Sequence, residues 1–451
     1  MFESWRFCVM RKLLISFLFF VPFFIFSSEL SLDECIENSV KESEKIKSAE
    51  AGAEAAKAGK NAVIFSFLPT AKLEASYQWL KFDPEPEPVT MDLTAMGMGV
   101  VEFGAIPDKS RTVGMTIVQP ITPLWSVFNG YKAAEIGFEI SKLQKELSIE
   151  QIKLEVMTLF YNYQMLSESN KLLSETKEQL KRYYNQASNF VNAGLSDKRA
   201  VLKIDIEIAR LDQQIQIVEG NLDLIKKNLS IFMNMPVDSF TLKTVKPVEA
   251  ALSSTASELE NMMINNRIEL KMIEKSSKIA KHMEWMSAQP FIPTLAIAGG
   301  FKKTWDDSQF QPAMTMFIGG SLSWNVGFDW GKAGFEYYKA KKERLKTDLD
   351  NINTKKMLGL QLIQLENDVE TKYQAIEVAK REIASATENL RIEEDKYREK
   401  MTTETDLLDA SISLRSAKLK LLTSMYEHLV ALNRLAITVG VDYQTIVSGG
   451  E

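Results

Sequence analysis

The stretch LPTAKLEASYQW at residues 68–79 cuts off a helix-like run and opens a segment of alternating polarity. The stretch IPTLAIAGGFKKTW at residues 292–305 does the same in the second half of the chain. A proline disfavours helical backbone at the residue before it, so each stretch marks the end of a helix. After the first stop, Leu73, Ala75, Tyr77 and Trp79 alternate with Lys72, Glu74, Ser76 and Gln78, as in a strand with one apolar and one polar face. A partner strand follows, with Val113, Met115 and Ile117 alternating with Thr112, Gly114 and Thr116. In the second half Leu295, Ile297 and Phe301 share one face, and Met316, Ile318, Leu322 and Trp324 share another. Glycines at 299, 300, 319 and 320 interrupt that pattern.

The recurrence predicts two repeats, each built as helix, hairpin and long helices. The first spans 29–236, with a hairpin at about 70–121 and long helices at about 127–233. A polar, threonine-rich linker at 237–256 leads to the second repeat at 257–440, with a hairpin at about 294–326, long helices at about 331–438 and a tail at 441–451. In the first long helix Ile152, Leu159, Leu166, Leu173, Leu180 and Ala187 recur every seventh residue, and Leu362, Val369, Ile376, Ile383, Leu390 and Tyr397 answer them in the second repeat. Between them, Val201, Ile204, Ile208, Leu211, Ile215, Val218, Leu222, Ile225, Leu229 and Phe232 step by three and four. Such spacing is a coiled-coil seam.

Residues 1–28 read as a secretory signal: Arg6, Arg11 and Lys12 precede an apolar run at 13–26, and Ser27 and Ser28 offer small residues for cleavage. Cys35 follows Asp33 and Glu34 rather than the signal itself, which argues against a lipid anchor. With Cys8 in the signal, Cys35 has no internal disulfide partner. The net charge of −6 and the lack of a basic block point away from nucleic acid. His282 and His428 lack ligand spacing and read as helix-surface residues. No phosphate loop, nucleophile set or metal cluster marks an enzyme or a cofactor site.

Each strand is close to the ~9–11 residues that a tilted strand needs to cross a bilayer. Trp79, Phe82, Trp125, Phe128, Trp305, Trp324, Phe328 and Trp330 fall near strand ends, with Phe65, Phe67 and Phe291 at the opposite ends, which suits interfacial girdles. The same rings also suit the core of a soluble sandwich; export favours the membrane. In hydrocarbon all backbone polar groups must be paired, so strands cross only as a closed barrel, and the smallest ordinary barrel has ~8 strands. Four strands per chain therefore demand several copies, and a cyclic trimer gives a twelve-stranded barrel wide enough for water. Lys72, Glu74, Ser76, Gln78, Thr112 and Thr116 would line its lumen, the 83–109 loop would face outward, and the long helices would continue as a hollow cylinder.

With these features in order and duplicated, the chain resembles the TolC-like outer-membrane efflux proteins over nearly all its mature length. The resemblance rests on the two helix-Pro-Thr-strand junctions, the strand exits VQPITPLWSVFNGYKAA and LSWNVGFDWGKAG, and the helix turns NAGLSDKRAVL and KMTTETDLLDASISLRSAKLKLL. It implies a mainly α fold with β: a long antiparallel coiled-coil helical barrel in the periplasm, and a β-barrel shared by a homotrimer in outer-membrane lipid. It also implies the exit duct of a tripartite efflux pump or a type I secretion system, passive and without cofactor, working with a periplasmic adapter and an inner-membrane pump or ABC exporter.

The resemblance further places the adapter-docking edge at the helix turns Gly194, Leu195, Ser196 and Met401, Thr402, Thr403, and an acidic constriction at Asp406 and Asp409. These carboxylates are three apart and share a helical face, so three chains would stack two carboxylate rings that favour cations. An isolated D-x-x-D is more often a solvated acidic face. Where the family's best-known member links its tips by an arginine and an aspartate, this chain has Thr402 and Ala200. Lys198, Arg199 and Glu404 are the candidates to replace that link. A rival reading, a trimeric coiled-coil adhesion protein without a channel, predicts one anchor at one end of the chain, whereas strand pairs lie inside both halves. A periplasmic adapter would show one helical hairpin flanked by many short strands.

Overall fold

In the computed structural model the described residues are 28–79, 81, 89–97, 99–103, 109–194, 197–247, 249–306, 314–324, 327–399 and 401–447. The signal segment before Ser28, Leu195, Ser196, Phe82 and the end of the tail lie outside them. In chain order the elements begin with β1 (Ser28–Leu30), α1 (Leu32–Glu42), α2 (Glu44–Phe65), β2 (Thr70–Trp79), β3 (Val89–Asp92), β4 (Val100–Phe103) and β5 (Lys109–Pro120). They continue with α3 (Leu124–Asn192), α4 (Lys198–Met233), β6 (Phe240–Leu242), α5 (Ala256–Asn266) and α6 (Ile268–Ser287). The chain closes with β7 (Thr294–Asp306), β8 (Thr315–Ser323), α7 (Phe328–Arg398) and α8 (Glu404–Val439). Among the described residues no helix is long and apolar enough to cross a membrane.

Two compact units are present; one takes residues up to Ser48, Glu146–Arg267 and residues from Leu358, and the other takes Ala49–Lys145 and Ile268–Met357. In the second unit the two hairpins form one antiparallel sheet in the order β2-β5-β7-β8. Its register sorts the side chains. Leu73, Met115, Phe301 and Met316 stand opposite one another in an apolar row across all four strands. On the other face Ser76 is opposite Thr112, and Thr112 is opposite Thr304, their hydroxyl oxygens 3.3 Å apart. Every residue of β2 and of β8 is exposed, and each of these strands has a neighbour on one side only.

The glycines that interrupt β7 have a packing reason. A Cβ on Gly300 would run into the carbonyl oxygen of Met115, so β5 and β7 close up only around a residue without a side chain. The aromatic ends sort differently from expectation. Antiparallel strands return to the end they left, so Trp324 and Trp330 join Phe291 rather than standing opposite it, with Phe291 6.4 Å from Trp330. Trp79 and Trp305 occupy the other end, opposite Lys109 and Arg111 of β5 respectively, and Trp125 opens α3.

In the first unit the core gathers Leu30, Cys35, Ile152, Val156, Phe160, Leu229 and Phe240. Here the seventh-residue stripe of α3 slips: Val156 and Phe160 are buried where Leu159 is only partly so, and the stripe resumes at Leu173, Leu180 and Ala187. The chain's first strand, β1, pairs in parallel with β6 at the start of the linker. Side chains then pin the linker: Gln164 donates to Lys243 O and the Tyr426 hydroxyl to Val245 O, both at 2.9 Å. His428 is not a surface residue but fully buried, its Nε2 2.9 Å from Ala250 O, because the linker folds over that face of α8. His282 likewise is half-buried, 2.9 Å from Asn129 Oδ1. Burial pushes the Cys35 thiol up to about 12.

Gly300→Ala is expected to open the β5–β7 seam and to lower the yield of folded, membrane-assembled protein several-fold, read by heat-modifiability on gels. Gly319→Ala, where a Cβ meets open space, is expected to match the wild type; equal loss in both would contradict the seam.

Candidate functional site

The two helix turns are built from different local devices. At the first, α3 stops because Gly194 takes a left-handed backbone at φ 71°, a conformation that suits glycine. Asp197 then caps α4: its side chain accepts from Arg199 N at 2.8 Å and from Arg199 Nε at 2.7 Å. The Arg199 side chain, ahead of its backbone amide, holds the Asp197 carboxyl below the usual carboxylate range. Arg199 is therefore engaged within its own turn rather than as a link to the other one.

At the second turn α7 runs out at Arg398, and Met401 N returns to Lys396 O at 2.8 Å. Thr403 and Asp406 form a capping box: the Thr403 hydroxyl lies 2.6 Å from Asp406 Oδ2, which also accepts from Thr403 N at 3.2 Å. Thr402 sits between two carboxylates, its hydroxyl 2.7 Å from Glu393 and 3.1 Å from Asp406. Asp406 is thus held below its ordinary range, chiefly by the Thr403 hydroxyl, then by the Thr403 amide and the Thr402 hydroxyl. Asp409 is exposed and has no side-chain partner among the described residues. The capping role of Asp406 is readable in Thr403-x-x-Asp406, a [ST]-x-x-[DE] signature at the head of α8.

What joins the two helical hairpins lies deeper than the turns. An apolar seam of Leu180, Ala187, Ile204, Leu211 and Leu408 runs between α3, α4 and α8, and a second packs Leu390 and Tyr397 of α7 against Leu407 and Ala410. Polar links cross it as well. Lys203 Nζ donates to Thr405 Oγ1 at 3.0 Å. The Tyr183 hydroxyl donates to Glu394 at 2.6 Å while accepting from Gln179 at 2.7 Å, and burial followed by the Glu394 bond raises its pKa. Arg415 Nη2 meets Glu207 at 2.9 Å, their side chains only 10% and 7% exposed, with Arg210 reaching the same carboxylate at 3.3 Å. Arg415 Nη1 is buried without a partner. The sequence reading missed this pair: a lone Glu on α4 and a lone Arg on α8 carry no spacing signal.

A family model described as Outer membrane efflux protein matches residues 35–233 and 263–441. Among solved structures the chain is similar to CusC, the subject of a study of folding and transmembrane channel formation, at 13% identity and TM-score 0.78, covering 92% of this chain and 93% of that one. It is similar to the Vibrio cholerae outer membrane protein VceC at 14% identity and TM-score 0.74, covering 91% and 96%. It is also similar to the Campylobacter jejuni outer membrane channel CmeC at 16% identity and TM-score 0.72, covering 91% and 86%. No curated protein matches the chain in sequence.

Removing one member of the buried pair leaves the other uncompensated, at a cost of about 3–5 kcal/mol, whereas replacing both by apolar groups costs far less. Arg415→Met is expected to destabilise the folded protein on that scale in guanidinium unfolding, and Arg415→Met with Glu207→Leu to restore most of it. Asp406 has a depressed carboxyl, so its cap is complete above the unfolded value of ~3.9 and is lost as pH falls through the folded value. Amide exchange at residues 403–406, corrected for intrinsic rates, is expected to accelerate only below about pH 4, and Asp406→Asn to lose that step.

Proposed function

Since this chain belongs to the outer membrane efflux protein family, we propose that it is the passive exit duct of a tripartite efflux pump, held shut at its periplasmic helix turns. The family is one of outer-membrane channels and not of enzymes, and outer membrane efflux proteins are trimers that work with adapter proteins and inner-membrane pumps. The observation that carries the reading is the match of the family model to both halves, each of which feeds one hairpin into a sheet with two bare edges. A coiled-coil adhesion protein would carry its strands at one end of the chain, whereas here one pair lies inside each half.

Substrate passes through without chemistry. The polar rows of the sheet, from Lys72 and Glu74 (3.0 Å apart) to Thr112, line the aqueous path, and the apolar rows meet lipid. In this reading the duct is narrowest at Asp406 and Asp409, where three copies stack two rings of negative charge. Asp406 there serves the capping box and the ring together; Asp409 serves the ring alone. Such rings attract cations and resist close approach until they are neutralised. The turn residues Gly194, Leu195 and Ser196 with Met401, Thr402 and Thr403 form the edge on which an adapter docks, and docking opens the duct by parting the two hairpins. With Thr402 and Ala200 in place of the family's linking pair, the closed state depends on Glu207–Arg415, Tyr183–Glu394 and Lys203–Thr405.

Reconstituted in a planar bilayer, the protein is expected to conduct in small steps with cation preference and to be blocked by divalent ions. Asp409→Asn is expected to weaken both properties several-fold without disturbing the fold, and Arg415→Met to raise the open probability. Failure to conduct even in Arg415→Met would overturn the channel, and unchanged selectivity in Asp409→Asn would overturn only the acidic rings.

A further inference from the structure

The register of the sheet puts the odd-numbered residues of β2, β5 and β7 on its apolar side and the even-numbered ones on its polar side. Along the apolar side the rows Ala71–Ile117–Gly299 and Leu73–Met115–Phe301 carry no charge. Each of the next three rows toward the end away from the helices brings one cation. Lys303 stands opposite Val113, Arg111 opposite Tyr77 and Trp305, and Lys109 opposite Trp79. On the polar side at the same height are Ser76, Thr112 and Thr304, with Gln78 and Ser110 beyond them, none of which is charged. A barrel between water and lipid is expected to keep its charges inside. Here, at this end, three cations stand on the outside, and among the described residues no acid shares that side of the sheet.

Depth explains how such charges are tolerated. From Leu295 to Lys303 the strand rises about 27 Å, or about 20 Å of depth at a tilt of about 40°, so the cations begin near the outer edge of an apolar band ~25 Å tall. Aromatic rings mark the same level, as at a bilayer interface. The Tyr77 ring lies 5.9 Å from the Arg111 guanidinium carbon, and the Trp305 ring 4.9 Å from Lys303 Nζ. A ring face attracts a cation without accepting its N–H groups as a phosphate or carboxylate does, so these side chains keep donors to offer. Spacing narrows what they can hold. Same-face neighbours along one strand are about 7 Å apart and diagonal cross-strand neighbours about 7–8 Å, so the front from Lys303 through Arg111 to Lys109 runs about 14 Å. That is too long for one phosphate. A zwitterionic headgroup would bring its own ammonium against three cations, and a soluble anion would gain nothing from the apolar rows beside them.

We propose that this face binds an outer-leaflet glycolipid whose headgroup carries two phosphate groups. One phosphate lies between Lys303 and Arg111 and the other between Arg111 and Lys109, with the guanidinium fork serving both. The acyl chains lie along the apolar rows of Leu73, Met115 and Phe301. All three cations come from β5 and β7, the inner strands of the sheet, so each chain holds one such lipid by itself. The inference rests on the reading that the apolar rows meet lipid and the polar rows line the duct, and its test separates the two.

Full-length protein, assembled and stripped of lipid in detergent, would be titrated with diphosphoryl lipid A, monophosphoryl lipid A, phosphatidylethanolamine and inorganic phosphate, with bound molecules counted by native mass spectrometry. The expected result is one diphosphoryl lipid A per chain, held about tenfold tighter than the monophosphoryl form, the loss of one bond between charged groups. Phosphatidylethanolamine is expected to stay at background, and inorganic phosphate in excess not to displace the glycolipid. Arg111→Gln and Lys303→Gln are each expected to weaken binding about tenfold. Lys302→Gln, one residue away on the polar side, is expected to leave it unchanged. Equal affinity for the two glycolipids would overturn the proposal, as would full retention in Arg111→Gln and Lys303→Gln, or an equal loss in Lys302→Gln. Displacement by inorganic phosphate would mean a site for soluble anions and would overturn it too. Conductance of the same samples reports separately on the duct. Protein that conducts yet takes up no phosphorylated lipid overturns this proposal alone, and protein that binds the lipid as expected but never conducts supports it while the duct falls.

Discussion

Backbone hydrogen bonding in hydrocarbon is the constraint from which the rest of this molecule follows. An unpaired N–H or C=O in lipid costs several kcal/mol, so a sheet with two bare edges cannot remain in a membrane as it stands. β2 and β8 present such edges, and every residue along them is exposed in the single chain. Association is thereby obligatory rather than regulatory. The same requirement explains the alternation along each strand, because a sheet wrapped between lipid and water must show each a different face.

At the helix turns the balance of forces is different. An apolar seam from Leu180 to Leu211 supplies the non-directional cohesion, and seams of this kind yield to sliding at little cost in contact. The polar links are directional and few. Arg415 and Glu207 are the most consequential, since both are nearly shut off from water and the guanidinium leaves one nitrogen unmet. A pair that has already lost its hydration and is not fully repaid suits a junction that must hold and also let go. The Asp197 cap at one turn and the Thr403–Asp406 capping box at the other satisfy the first free amides of α4 and α8 and so fix where each helix begins.

Periodicity is the part of this fold that sequence displays openly. The Pro-Thr junctions, the alternation from Lys72 to Trp79 and the seventh-residue stripe of α7 are local patterns, each visible within a window of one or two turns, and the mainly α channel fold with two repeats follows from them. What sequence concealed depends on partners remote in the chain. Glu207 and Arg415 are 208 residues apart, a full repeat, and neither has a helical neighbour that signals its role. His428 reads as a surface residue until the linker is seen to cover it, because the linker's path is set by single hydrogen bonds to Lys243, Val245 and Ala250. Asp406 carries a capping role that its pairing with Asp409 does not display. A carboxylate at the third position of a helix serves the backbone whatever else it does, and charge pattern alone does not reveal that.

The pairing of β5 with β7 has a consequence for how the molecule is made. These strands belong to different repeats, so the first hairpin finds its inner neighbour only after the 173 residues between Pro120 and Thr294 have followed it across the inner membrane. Even with the four-stranded sheet complete Leu73, Tyr77 and Trp79 stay exposed, so pairing within the chain does not cover them. The strand β1 waits in the same way for β6. Biogenesis is therefore a matter of holding a long, sticky, unfinished polypeptide in the periplasm, and the burden of keeping it from aggregating falls on whatever escorts it there.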